Sequence, residues 1–322
     1  VMARALKDIF CRYKTLKGFK VERKAGWDTH GLPIELGVEK QLGISKEDIG
    51  TKISIKDYNK SCKDAVMKYT NIWNDLTRKI GYWVDMENPY VTYKSKYIES
   101  VWWLLKELHE KGLIYKGYSI QPYSPKAGTG LSSHELNQPG TYQDITDTTV
   151  TAQFKCIEKS LPEFLKKYGS VHILAWTTTP WTLPSNTALT VGANIDYVII
   201  KTFNQYTEMA INVVLAKNLI EKVLKNNYRE VKQTKDLIFS KNNDIPFLIC
   251  EHFKGRDLIN VKYEKLWTDS PLPTQNPENA FRVISGDFVT TDDGTGIVHT
   301  APTFGADDMI AAQNAKPEVP PM

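Results

Sequence analysis

The stretch GTGIVHTAPTFGADD, from Gly294 to Asp308, places one imidazole, His299, and one carboxylate, Asp308, nine residues apart across glycine turns. The neighbouring residues narrow the chemistry such a pair can do. A bound metal needs three or four ligands, and no other His/Cys cluster supplies the rest, so no metal is expected. A hydrolytic triad needs a nucleophile on a sharp elbow, and the stretch has neither serine nor cysteine. A phosphate loop needs GKS or GKT after its glycines, which is also missing. What remains is recognition. Asp308 can hold a cationic group, and His299 can form a pocket wall or a hydrogen bond.

Two further stretches carry chemistry. In AWTTTPWTLPSNTAL (Ala175–Leu189), Thr177, Thr178 and Thr179 end a strand with hydroxyls pointing both ways. Pro180 and Pro184 stiffen the loop that follows, and Asn186 offers both donor and acceptor. The stretch reads as a small polar-lined wall or, with equal weight, as a β-branched strand stopped by proline. In GWDTHGLPIE (Gly26–Glu35), a glycine turn after a short strand carries Asp28 and His30. That suits a ligand site at the carboxyl end of a parallel sheet. The weightier reading from the residues alone is an ordinary strand-to-helix turn with Asp28 capping the next helix.

The frame for these residues is a chain of 322 residues, 41% hydrophobic and 24% charged, long enough for two domains. A net charge of +4 permits a nucleic-acid partner without arguing for one. No apolar run spans a membrane, and no secretion signal opens the chain. Cys11, Cys62, Cys156 and Cys250 lie far apart, which fits a reduced cytoplasmic setting. Helical spacing is expected over residues 2–17, 57–80 and 95–110, with Gly112 closing the last. Residues 113–122 read as a buried strand. From about residue 145 the texture turns β-branched, in DITDTTVTAQFKC, VHILAWTTT, IDYVIIKTF, TEMAINVVLA, FRVISGDFVT and GIVHTA. A helix is expected at 217–225, followed by an exposed, Lys-rich insertion to residue 244.

Taken in order, GWDTHGLPIE, TTTPWTLPSN and GTGIVHTAPTFGADD resemble the class I aminoacyl-tRNA synthetases of the Ile/Val/Leu group, nearest to the isoleucine-specific branch. KDIFCRYKTLKGF, KGLIYKGY and PYSPKAGTGLSSHE add to the likeness, which is weakest around 225–245. Leucine-specific members usually read Ala-Phe where this chain has Thr29-His30, and valine-specific members differ across the whole glycine turn. The resemblance implies an α/β chain. Residues 1–144 would be a partial Rossmann-like catalytic domain. Residues 145–322 would be a mostly β, barrel-like editing domain inserted in it and incomplete at its C-terminal end. The whole enzyme would use ATP with Mg2+, isoleucine and tRNA(Ile), and would act as a cytoplasmic monomer. The family's His-Ile-Gly-His and Lys-Met-Ser-Lys-Ser signatures are absent here, so this stretch by itself is expected to form no isoleucyl-adenylate and to need no cofactor.

The resemblance also implies roles. Asp308 matches the editing aspartate that holds the α-ammonium of a misattached amino acid. Thr177, Thr178, Thr179 and Asn186 would orient ester and water, while His299 and Trp176 would shape a pocket that admits valine and excludes isoleucine. Asp28, with Trp27 and His30, would bind isoleucine in the synthetic site. A second sieve is needed because one methylene is worth only ~0.8 kcal/mol of burial; this amino-acid pair is the standard worked case. A valine- or leucine-specific relative and an inactive tRNA-binding module are the competing readings.

Overall fold

The computed structural model describes residues 2–225, 227–240 and 244–322. Residues 226 and 241–243 of the expected Lys-rich insertion lie outside that set. The chain divides into two compact units, residues 1–118 with 123–130, and 119–122 with 131–322. No helix among the described residues is long and apolar enough to cross a membrane.

Unit one runs α1 (Met2–Leu16), β1 (Lys24–Trp27), α2 (Leu32–Leu42), α3 (Ile55–Met67), α4 (Thr70–Lys79), β2 (Asp85–Val91) and α5 (Ser95–Glu110), then a short hairpin of β3 (Tyr123–Ser124) and β4 (Thr129–Gly130). β1 and β2 pair in parallel, Trp27 opposite Val91. Parallel pairing requires a long crossover, and α2, α3 and α4 supply it. Asp8 of α1 fastens this unit. It accepts from Arg12 at 2.6 Å, from Arg23 at 3.2 Å and from the Trp83 backbone N–H at 3.1 Å.

Two expectations change here. The single helix over 57–80 is two helices, broken at Lys68–Tyr69, where the Thr70 hydroxyl donates to the Met67 carbonyl at 2.6 Å and competes with the backbone ladder. The strand over 113–122 does not form. Leu113, Tyr115 and Tyr118 are exposed, and an apolar run without a partner edge gains nothing from extension.

Unit two runs α6 (Ser133–Leu136), β5 (Val150–Lys155), α7 (Glu163–Lys166), β6 (Val171–Thr177), β7 (Ala188–Val191), β8 (Asp196–Phe203), β9 (Ala210–Ala216), α8 (Ile220–Val223), β10 (Tyr228–Glu230), β11 (Ile245–Lys254), β12 (Arg282–Ser285), β13 (Ile297–Thr300) and α9 (Ala306–Asn314). Nine strands form one sheet in the order β10-β11-β8-β9-β6-β13-β7-β12, with β5 on the other edge of β6. The named strands by themselves pair as an open ladder. Between β12 and β5 lies the segment 260–264, bridging Lys262 to Arg282 and Cys156 to Tyr263.

This sheet is buried on both faces. Along β8, Tyr197 and Ile199 enter one apolar cluster while Val198 and Ile200 enter another. That is why its sequence is continuously apolar rather than alternating. α9 packs on β7 and β12 through Ala311 and Ala312 against Ala188 and Ile284, small side chains that allow close approach.

β6 changes neighbour partway along. Val171–Ile173 pair with β9, whereas Trp176 pairs with Val298 of β13. The turn that brings β13 there needs its glycines. Gly294 and Gly296 have φ of +75° and +71°, and a side chain at 296 would overlap the methyl of Ala216. Gly169 shares the left-handed backbone, φ +68°, but faces open space. Gly169→Ala and Gly296→Ala therefore share a backbone cost of ~1–2 kcal/mol, and only the second adds a collision. Urea denaturation is expected to place Gly296→Ala at least ~1 kcal/mol below Gly169→Ala; equal values would show that Ala216 yields freely.

Candidate functional site

The end of β6 is shaped by its own hydroxyls. The Thr177 hydroxyl accepts from the Thr179 backbone N–H at 3.0 Å, turning the chain out of the strand. The Thr179 hydroxyl stands 3.3 Å from that of Thr177 and 3.4 Å from that of Thr182. Pro180 then opens a short 3-10 turn, Pro180–Ser185, where a missing N–H costs nothing. Thr177 is buried, Thr179 half-buried and Thr178 exposed.

Across from this corner, β13 lies antiparallel to β7 and carries His299 opposite Leu189. His299 is 6% exposed, and both its nitrogens are occupied. Nδ1 lies 2.8 Å from Asn186 Nδ2, and Nε2 lies 3.0 Å from the Thr182 hydroxyl. Burial pushes its pKa down to about 4, so the ring is neutral near pH 7. Trp176 rests on the glycine turn: a Cβ at Gly294 would stand 2.9 Å from its ring.

Asp308 sits in the first turn of α9, where the helix dipole favours a carboxylate. Its Oδ2 accepts from the Ala301 backbone N–H at 2.8 Å, and no hydrogen bond engages Oδ1 among the described residues. The carboxyl folds back over Gly305, where a Cβ would come within 2.9 Å of it. Burial raises the pKa of Asp308. The Ala301 N–H opposes that rise, and the neighbouring Asp307 adds to it.

Trp176, Thr177, Thr178, Thr179, His299 and Asp308 all line one cavity of about 610 Å³. Asn186 stands one layer behind, holding His299. Asp307 lines a different cavity, of about 550 Å³, with Arg282 and Ile310. Two adjacent carboxylates thus serve two separate spaces. Reading the sequence overlooked Thr182 and Tyr263. Thr182 stands three residues beyond Thr179, inside the quoted stretch. Tyr263 reaches Asn186 from 77 residues away and carries no motif.

In unit one, Trp27 lines a cavity of about 290 Å³ with Arg4 and Lys7, and neither Asp28 nor His30 lines it. Asp28 is exposed and does not cap α2, whose N-cap is Gly31. His30 Nδ1 lies 3.1 Å from the Thr92 hydroxyl, which also takes the Thr29 N–H at 3.0 Å. The three residues therefore share a turn but no enclosed site. No group of three metal-ligating side chains occurs among the described residues.

A parallel β1–β2 pair carrying the GWDTHG turn, and a separate unit with a Thr-, His- and Asp-lined cavity, together point to an aminoacyl-tRNA synthetase. The sequence profile of the tRNA synthetases class I (I, L, M and V) matches residues 1–255, and the chain belongs to that family. It is 59% identical over 325 residues to the isoleucine–tRNA ligase of Bacteroides fragilis, covering all of this chain and 27% of that protein. It is 58% identical over 320 residues to the isoleucine–tRNA ligase of Cytophaga hutchinsonii, covering 98% of this chain and again 27% of the relative. The chain thus spans about a quarter of the length of these relatives. Among solved structures, the P. knowlesi cytosolic leucyl-tRNA synthetase editing domain aligns with 53% of this chain and 66% of its own length, at 13% identity and a TM-score of 0.40, too loosely to place any residue.

The burial of His299 has a consequence for stability. The folded ring resists a proton that the unfolded chain accepts below its ordinary value of 6.5. Its contribution is present above pH 6.5 and is lost as pH falls towards 4, a change on the order of 3 kcal/mol. Asp308, with its raised pKa, acts in the opposite sense. Denaturation midpoints of the wild type and His299→Gln, measured from pH 7 to pH 4, are expected to converge on acidification. Parallel curves would mean that His299 titrates like an exposed histidine.

Proposed function

We propose that this chain is part of an isoleucyl-tRNA synthetase in which residues 1–144 belong to a catalytic domain that activates isoleucine, and residues 145–322 to a domain that hydrolyses Val-tRNA(Ile). The observation that carries the reading is the convergence of Asp308, three threonines and a neutral His299 on one cavity. Isoleucine–tRNA ligases nearly 60% identical over 98–100% of the chain support it. ATP with Mg2+, isoleucine and tRNA(Ile) are the partners proposed for the whole protein, acting as a cytoplasmic monomer, with Asp28, Trp27 and His30 at its amino-acid site.

An aminoacyl ester is already activated, so no covalent step is needed. Water adds to the ester carbonyl and loses a proton, the bond to the ribose oxygen breaks, that oxygen takes up a proton to become the free hydroxyl, and valine departs. Binding in one geometry supplies much of the acceleration. Asp308 Oδ1 holds the α-ammonium, while the hydroxyls of Thr177, Thr178 and Thr179 orient ester and water. His299 has no nitrogen left for a ligand. It acts as a rigid wall, and size alone decides what fits beside it.

Removing one partner of a partly buried charge pair costs ~3 kcal/mol or more. Asp308→Ala is therefore expected to slow single-turnover deacylation of Val-tRNA(Ile) by about 100-fold or more, whereas Asp307→Ala, facing the other cavity, changes it little. Because burial raises Asp308, the wild-type rate falls off on the acid side at a higher pH than an ordinary carboxylate would allow. Equal rates for Asp308→Ala and wild type would sink the assignment. A wild type that leaves the ester lifetime unchanged would identify a tRNA-binding module, and preference for Thr-tRNA(Val) would identify a valine-specific relative.

The wall makes its own forecast. His299→Ala is expected to admit Ile-tRNA(Ile) while retaining Val-tRNA(Ile), raising the ratio of the two rates at least tenfold. A bulkier side chain at Thr179 is expected to block both substrates. A ratio unchanged in His299→Ala would remove His299 from the specificity wall.

A further inference from the structure

The hydrogen bonds around His299 have a direction, and backbone carbonyls set it. A carbonyl oxygen can only accept. Asn186 Nδ2 lies 2.8 Å from the Ala188 carbonyl, so the amide nitrogen faces that way and not the amide oxygen. The second hydrogen of the same nitrogen meets His299 Nδ1 at 2.8 Å, so Nδ1 carries no proton. The ring hydrogen then sits on Nε2 and is donated to the Thr182 hydroxyl at 3.0 Å. That hydroxyl passes its own hydrogen to the Thr179 carbonyl at 2.8 Å. One acceptor remains, Asn186 Oδ1, and the Tyr263 hydroxyl donates to it at 2.7 Å.

Tyr263 lies outside the cavity. It is 1% exposed and packed edge-on against Phe154, with ring centroids 5.2 Å apart, and against Phe281 at 6.2 Å. Its backbone N–H donates to the Phe281 carbonyl at 3.0 Å, within the segment that lies between β12 and β5. The core therefore fixes where its hydroxyl stands. Without that hydroxyl, Oδ1 becomes a buried acceptor with no donor. The present orientation of the amide then rests chiefly on the Ala188 carbonyl, and the flipped one comes closer in energy. The flipped amide turns its oxygen to Nδ1 and welcomes a proton there. Asp308 from α9, and Asp292 and Asp293 from the glycine turn, line the same cavity and favour that proton too. The present orientation of the amide holds against them.

We propose that Tyr263 is a positioning residue that acts from the core through Asn186 to hold His299 as the neutral Nε2–H tautomer at the cavity wall. The role deepens the editing reading and rests on it, while the test reads the imidazole directly. The chain is labelled with 15N-histidine, and its six histidines are resolved by long-range proton–nitrogen NMR, with His299→Gln identifying the signal. The wild type is expected to show only the Nε2–H form of His299 from pH 5.5 to 8, without titration. In Tyr263→Phe a second, Nδ1–H form is expected, and the midpoint of protonation rises at least tenfold in proton affinity. A wild type in the Nδ1–H form, or a Tyr263→Phe spectrum and titration like those of the wild type, would overturn the proposal. Should Tyr263→Phe fail to fold, Asn186→Asp keeps the acceptor for Tyr263 and removes the donor to Nδ1. It is expected to move the proton to Nδ1, and an unmoved proton again overturns the proposal. Deacylation of Val-tRNA(Ile) is measured separately. The expected tautomer without hydrolysis sinks the editing reading alone, and hydrolysis with the other tautomer sinks this one alone.

Discussion

The close seating of the glycine turn on β6 and β9 is the constraint from which the rest of the site follows. Gly296 approaches Ala216, and Gly294 approaches Trp176, closer than any Cβ permits. Only that approach lets β13 run beside the end of β6, where β9 has stopped pairing. His299 then reaches the hydroxyl corner, and the chain leaves β13 in the direction that sets α9 and Asp308 over the same space. A turn two residues longer, or one bearing side chains, would hold the same residue types without bringing them together.

The site that results pairs a neutral ring with carboxylates, of which Asp308 is the one drawn out of water. His299 is neutral because water cannot reach it, and its nitrogens are spent on neighbours. Asp308 stands in the first turn of a helix, partly out of water, with one oxygen tied and one open. A carboxylate raised by burial gains most from a cation that restores what solvent has lost. Threonines complete the lining with short polar side chains. In the proposed reading, charge and hydroxyls hold the reacting group while a rigid ring limits its size.

Much of this could be read from residue order. Thr177, Thr179, His299 and Asp308, singled out in two short stretches, line one cavity, and the roles that the family resemblance implies for them stay proposed. The helices at 2–16 and 95–110 followed from spacing, and β5, β6, β8, β9, β12 and β13 from β-branched runs. What escaped has a physical reason in each case. β7 was hidden behind Pro184 in a stretch that read as loop, and it is a strand because both neighbours pull it into a buried sheet. Strand number is legible in the sequence, while the segment 260–264 that lies between β12 and β5 carries no strand signal. Residues 113–122 have the composition of a buried strand and no edge to join. Tyr263 could not be found at all, since a contact across 77 residues leaves no local trace. Asp28 and His30 share a turn that encloses nothing by itself.

The adjacent carboxylates at the start of α9 bear on how the chain can change. Asp307 and Asp308 differ by one step of a helix, and that step separates two cavities. Slipping α9 by one residue would replace a carboxylate with a carboxylate, so composition and net charge would be silent about the error. Gly305 forbids the slip. A Cβ at 305 would stand 2.9 Å from the Asp308 carboxyl, so glycine there leaves room for the acid to fold back to the Ala301 N–H. Any neutral drift of this helix must therefore keep its distance from that glycine fixed, and an insertion between 305 and 308 would be lethal to the site while leaving every residue type in place.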